Sequence, residues 1–96
     1  MSSRDLESAL LSRCAAVARQ ASTQAQDQRE ANVFRLAAMV IQSRFPAESK
    51  NLMRVSDEYF AKHPNELLPA QEVVRKGWVF SLPRLRDMLS QQLSNP

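Results

Sequence analysis

Cys14 is the chain's only thiol and His63 its only imidazole, so a Cys–His nucleophile pair is the first covalent chemistry to weigh. Their positions argue against it. Cys14 falls on an apolar stripe with Leu6, Leu10 and Val17, where it reads as a small buried hydrophobe. His63 stands at the end of a different helical segment, where the helix dipole favours an imidazole. A metal centre needs several His, Cys or carboxylate ligands at workable spacing, and one His with one Cys forms no such cluster. A single Gly rules out a glycine-rich phosphate loop. Asp57 and Glu58 are adjacent acids, but successive helix positions diverge by about 100° and hold no shared proton. No catalytic residue, metal, cofactor or small-molecule substrate is assigned, and a non-enzymatic protein is expected.

Two groups of residues point instead to binding. Tyr59, Phe60, Trp78 and Phe80 could stack the bases of a single strand, although their helical spacing favours core packing. The stretch "VVRKGWVFSLPRLRDML" from Val73 to Leu89 contains the only Gly, the only Trp and four cations ahead of its first acid. Residues 70–92 resemble the general helix-turn-helix motif: a short helix, a segment with Gly, then a second helix capped by Ser81. In that arrangement Arg84 and Gln91 would reach base edges, while Arg75, Lys76 and Arg86 would contact phosphates. Three features depart from it: an apolar connection from Gly77 to Ser81, Pro83 in the second helical position, and Asp87 three residues from Arg84. Asp87 at that distance can pair with the cation and repel phosphate.

The elements that position these residues are helical. Ala, Leu, Gln, Glu and Arg are abundant, and one Gly with five Pro leaves little material for hairpins. Ser2 and Asp5 have capping-box spacing at the head of a first helix carrying Leu6, Leu10, Cys14, Val17 and Ala21. A helix running on from Ser3 to Arg44 would be about 60 Å long, so a break is expected near Ser22 to Asp27. "VFRLAAMVIQSRF" is apolar nearly all round: Phe34, Ala37, Ala38, Ile41 and Phe45 define one side, and Leu36, Met39 and Val40 point away from it. Pro46 opens a third helix with Leu52, Val55, Tyr59 and His63 aligned, and His63-Pro64 closes it. A short helix follows Pro69, with Gly77 suited to the residue past its end. The last helix gathers Leu82, Leu85, Met88, Leu89 and Leu93 on one face.

Ninety-six residues with 44% hydrophobic content suit one helical domain over 1–96, with residues 1–44 as an N-terminal helical pair and 46–96 as the C-terminal helices. The expected fold is an all-α bundle of four to five helices. The single Cys, and the lack of a charged segment leading into an apolar one at the start, make a reducing cytoplasm the expected location. The longest apolar run, "LAAMVI", falls far short of the roughly 20 residues that span a bilayer. The net charge of +3 is mild for a nucleic-acid binder, and its excess lies beyond residue 32, where nine basic face six acidic side chains.

The expected function is a protein–protein interaction module, an adaptor, chaperone-like or regulatory protein that docks a partner or a second copy of itself. Its surface would comprise Leu11, which faces away from the first helix's narrow stripe, and Val33, Leu36, Met39, Val40 and Ile41 of the second. The alternative is a DNA-binding regulator using residues 70–92.

Overall fold

The structure is a computed structural model that describes residues 3–20, 24–76 and 81–95. Those residues form an all-α bundle of five helices: α1 (Ser3–Arg19), α2 (Gln28–Ile41), α3 (Pro46–Lys62), α4 (Ala70–Arg75) and α5 (Leu82–Ser94), with a single 3₁₀ turn at Pro64–Glu66. The break expected between the first two helices is present, since α1 stops at Arg19 and α2 starts at Gln28. Ser2, Ala21, Ser22, Gly77, Trp78 and Phe80, to which the sequence assigned capping, stripe, break, turn and stacking roles, lie outside the described residues.

Local chemistry sets the boundaries. Asp27 opens α2 from extended backbone, its carboxylate accepting the Glu30 N–H at 2.9 Å, which satisfies one of the first-turn donors left without an intrahelical partner. Phe45 precedes Pro46 and His63 precedes Pro64. Both sit outside the helical region, at φ −130°, ψ 71° and φ −135°, ψ 62°, because proline's ring crowds the residue before it. Pro83 follows Leu82 in the first turn of α5, where a missing N–H costs no intrahelical bond.

α2 is the central element. Its closest partner is α3, and α5, α1 and α4 pack on its other sides. Small side chains permit the α2–α3 approach: Ala37 and Ala38 are fully covered, and the Ser49 hydroxyl donates to the Ala38 carbonyl at 2.6 Å. The core joins Val17 of α1, Phe34 and Ile41 of α2, Leu52 and Val55 of α3, Val73 of α4, and Leu85 and Leu89 of α5 in one cluster. The Cα radius of gyration, 12.2 Å, matches the roughly 12–13 Å of a chain this long folded around one core.

Two helices bury more, or other, surface than their periodicity suggests. α1 buries the row Leu10, Cys14 and Val17 and also the adjacent row Leu11, Ala15 and Ala18, because it lies against both α3 and α5. On α3 the buried face is Ser49, Leu52, Val55, Ser56 and Phe60, so the line through Tyr59 and His63 is displaced: Tyr59 is half-buried and His63 exposed.

Polar ties close the helix ends. Asn51 donates to the Ala18 carbonyl at 2.8 Å, and the Arg19 guanidinium donates to the carbonyls of Gln92 and Asn95 at 2.8 and 3.1 Å. The Ala18 and Gln92 carbonyls are last-turn acceptors that lack intrahelical donors. Arg13 and Glu30 form a two-pronged ion pair at 3.1 and 3.2 Å that joins α1 to α2, and Gln26 N–H donates to the same carboxylate at 3.0 Å.

Candidate functional site

The thiol and the imidazole are presented to different surroundings. Cys14 is fully covered, and loss of water pushes its pKa up to about 12, with the Glu30 charge adding to the rise and Arg13 opposing it. At neutral pH it stays a protonated core thiol. His63 is exposed at the end of α3, its Nδ1 3.0 Å from a Glu66 carboxylate oxygen. Among the described residues no three His, Cys, Asp or Glu side chains converge as a metal site would require.

His63 belongs to a group that stacks on Tyr59 with ring centroids 4.4 Å apart. The Tyr59 hydroxyl donates to Glu66 at 3.2 Å. Partial removal from water, that hydrogen bond and the Glu66 and Asp27 charges raise the Tyr59 pKa. A cleft of about 230 Å³ lies beside this group. The polar atoms, however, are spent on holding the α3–α4 connection: the Glu66 carbonyl accepts from Gln28 at 2.6 Å and from Asn32 at 3.5 Å, and Asn32 accepts the Leu68 N–H at 3.1 Å. These contacts strap the α3–α4 connection to α2, while the cleft itself is lined by Gln24, Gln26, Glu58 and Lys62 beside Tyr59 and His63.

In the basic segment the cations are matched by acids. Arg75 pairs with Glu72 at 2.5 Å, Arg84 with Glu7 of α1 at 2.9 Å, and Arg86 with Asp87 at 3.2 Å. The expected Arg84–Asp87 pairing gives way to the Arg84–Glu7 bond because α5 packs on α1. Lys76 caps α4 and is exposed, as is Gln91. A helix-turn-helix packs its two helices on each other, whereas α4 packs on α2 and no comparable α4–α5 packing occurs among the described residues.

The residues expected to form an apolar docking wall separate sharply. Leu11, Val33, Leu36 and Ile41 are covered by their own chain, at 7%, 0%, 4% and 1% exposure, and Val40 is half-buried. The surrounding helices close over most of α2's circumference, so these side chains build the chain's own core. Met39 is the exception at 57% exposed, with Leu67 and Val74 near α4 less open at 47% and 39%.

Met39 forms an exposed ridge on α2 that lines the first of two grooves. On the α3 side a groove of about 290 Å³ is lined by Met39, Gln42, Pro46, Lys50 and Met53. On the α5 side a groove of about 500 Å³ is lined by Val40, Ser43, Arg44, Arg86 and the outer face of α5, and a smaller apolar hollow at Val40, Leu82 and Pro83 adjoins it. Arg44 and Lys50 form no ion pair among the described residues, and the Arg44 guanidinium sits 5.7 Å from the Phe45 ring centroid. Sequence reasoning found Met39 and Arg86 but not Arg44, Lys50 or Met53; the fold brings them together by folding α3 back along α2.

No known protein family, curated protein or solved structure matches the chain. No described helix is long and apolar enough to cross a membrane.

Proposed function

We propose that this chain is a non-enzymatic docking protein whose partner is another protein presenting an amphipathic helix with acidic flanks. Met39 carries the reading: on a helix whose other large apolar side chains are covered or half-covered, it stands 57% exposed on the wall of the α3-side groove. An unbranched thioether adapts its shape to an apposed apolar surface, and Met53 beside it extends the same soft strip.

Charge selects the partner. Lys50, Arg44 and Arg86 border the ridge, and Asp87 is the one carboxylate among the lining residues. Acidic flanks on an incoming helix complement that excess, whereas a second copy docked about a two-fold axis would set these cations against one another. The free chain is therefore a monomer in this account, and the lone buried Cys14 suits the reducing cytoplasm.

The test is a fluorescence-anisotropy titration with a designed helical peptide, Leu at i, i+4 and i+7 and Glu on both flanks. Met39→Asp is expected to weaken binding roughly 30-fold, about the 2 kcal/mol of an interface hot spot, and a Lys-flanked peptide with the same apolar face is expected not to bind. Equal binding by Met39→Asp and the native chain, or light scattering that shows a dimer dissolved by Met39→Asp, would overturn the proposal. Tight binding of duplex DNA with steep salt dependence would overturn it in favour of the nucleic-acid alternative.

A further inference from the structure

We infer that the groove between α2 and α5 is the carboxylate-receiving half of the docking surface, with Arg44 and Arg86 reading the acidic side chains of the partner helix; this rests on the docking reading above. The two grooves differ in chemistry. The α3-side groove is walled mainly by Ala38, Met39, Pro46 and Met53, with Lys50 its one charge. The α5-side groove holds two guanidinium groups and one carboxylate, Asp87, with Ser43, Ser90, Gln91 and Ser94, neutral side chains that can donate hydrogen bonds to an anion.

Three observations make this groove receptive to a carboxylate. Arg44 has no acid partner among the described residues, and its contact with the Phe45 ring holds the guanidinium at the groove's edge. Arg86 is paired with Asp87, its neighbour in sequence, at 3.2 Å with both side chains more than half exposed, an arrangement water largely screens and an incoming carboxylate can replace. The carbonyls at the end of α5, the negative end of its dipole, would repel an anion. One of them, on Gln92, and the carbonyl of Asn95 just past the helix are taken by the Arg19 guanidinium, and Asn95 lines the groove. Planar guanidinium groups bind carboxylates through paired hydrogen bonds, so the acid row of the helix lies over α5 and its apolar row over Met39 and Met53.

A double-mutant cycle tests this. Two peptides share the Leu row and carry Glu or Gln in the flanking row, and each is titrated against the native chain, Arg44→Gln/Arg86→Gln and Lys50→Gln. All three substituted side chains are exposed, and circular dichroism checks the fold. The native chain is expected to prefer the Glu peptide roughly tenfold, the double variant to bind both alike, and Lys50→Gln to keep the preference. A preference that survives in the double variant, or one removed by Lys50→Gln, would overturn the inference. Met39-dependent binding with no preference for Glu overturns the inference and the choice of acidic flanks while docking at Met39 stands, and failure of both peptides to bind the native chain overturns the docking reading as well.

Discussion

Phe34→Ala lowers the unfolding free energy by about 3–5 kcal/mol, the usual loss for truncating a buried phenylalanine. Phe34 is fully covered and heads the buried side chains by volume. It belongs to α2, the helix on which all the others pack, so the hole it leaves is bounded by several elements that cannot all collapse into it. Domains of this kind are stabilised by about 5–15 kcal/mol in total, so the loss removes a large share of the stability. Urea denaturation followed by helical circular dichroism measures the shift. A loss under about 1 kcal/mol would mean that the site relaxes freely and that α2 is not the organising helix.

Arg13→Ala is the second large effect, a loss of about 2–4 kcal/mol. Glu30 is only 6% exposed, and Arg13 supplies both charged hydrogen bonds to its carboxylate. Without the guanidinium the Gln26 N–H is the remaining partner of a charge held away from water. Breaking a buried pair costs about 3–5 kcal/mol, and the 29% exposure of the Arg13 side chain puts this pair toward the lower part of that range. Removing the charge as well should relieve the penalty, so Arg13→Met/Glu30→Leu is expected to be more stable than Arg13→Ala. The comparison of denaturation midpoints would count against this view if the double variant were the less stable of the two.

The helix boundaries were legible because their signals are local. Pro46 and His63-Pro64 act on the residues beside them, and each marks a helix end in the structure; Ser81 stands at the head of α5 as expected, but its side chain makes no capping hydrogen bond there. Asp27 and Glu30, three apart, carry an equally local start signal for α2 that periodicity alone passes over. The girth of α2 was legible too, since its apolar residues plainly exceed one face. What covers that girth was not. A helical period assigns a residue to a side of its own helix and says nothing of which neighbour lies there. Leu36 and Leu11 therefore looked available although α2's neighbours and α1's position between α3 and α5 enclose them. The second buried row of α1 was obscured because Ala15 and Ala18 add little to an apolar count, while their small size is what close packing uses. Ion pairs followed the same rule. Asp87 was the nearest acid along the chain to Arg84, but Glu7 is the one packing delivers.

The docking edge shows the same division. Met39 could be picked out as a residue pointing away from the core side, whereas the cations beside it come from the α2–α3 turn, α3 and α5 and share no sequence pattern. The candidate site is therefore a product of the α2–α3 reversal and of α5 lying alongside, and its chemistry appears only after the chain has folded.

Methionine oxidation by dilute hydrogen peroxide, read by mass spectrometry with and without the Glu-flanked peptide, tests the central claim most directly. Met39 is expected to form its sulfoxide faster than the half-buried Met53 and Met88 in the free chain, and to slow by roughly tenfold once the peptide saturates the ridge. Met39 reacting as slowly as Met53 in the free chain, or reacting at its free rate with peptide bound, would contradict the account.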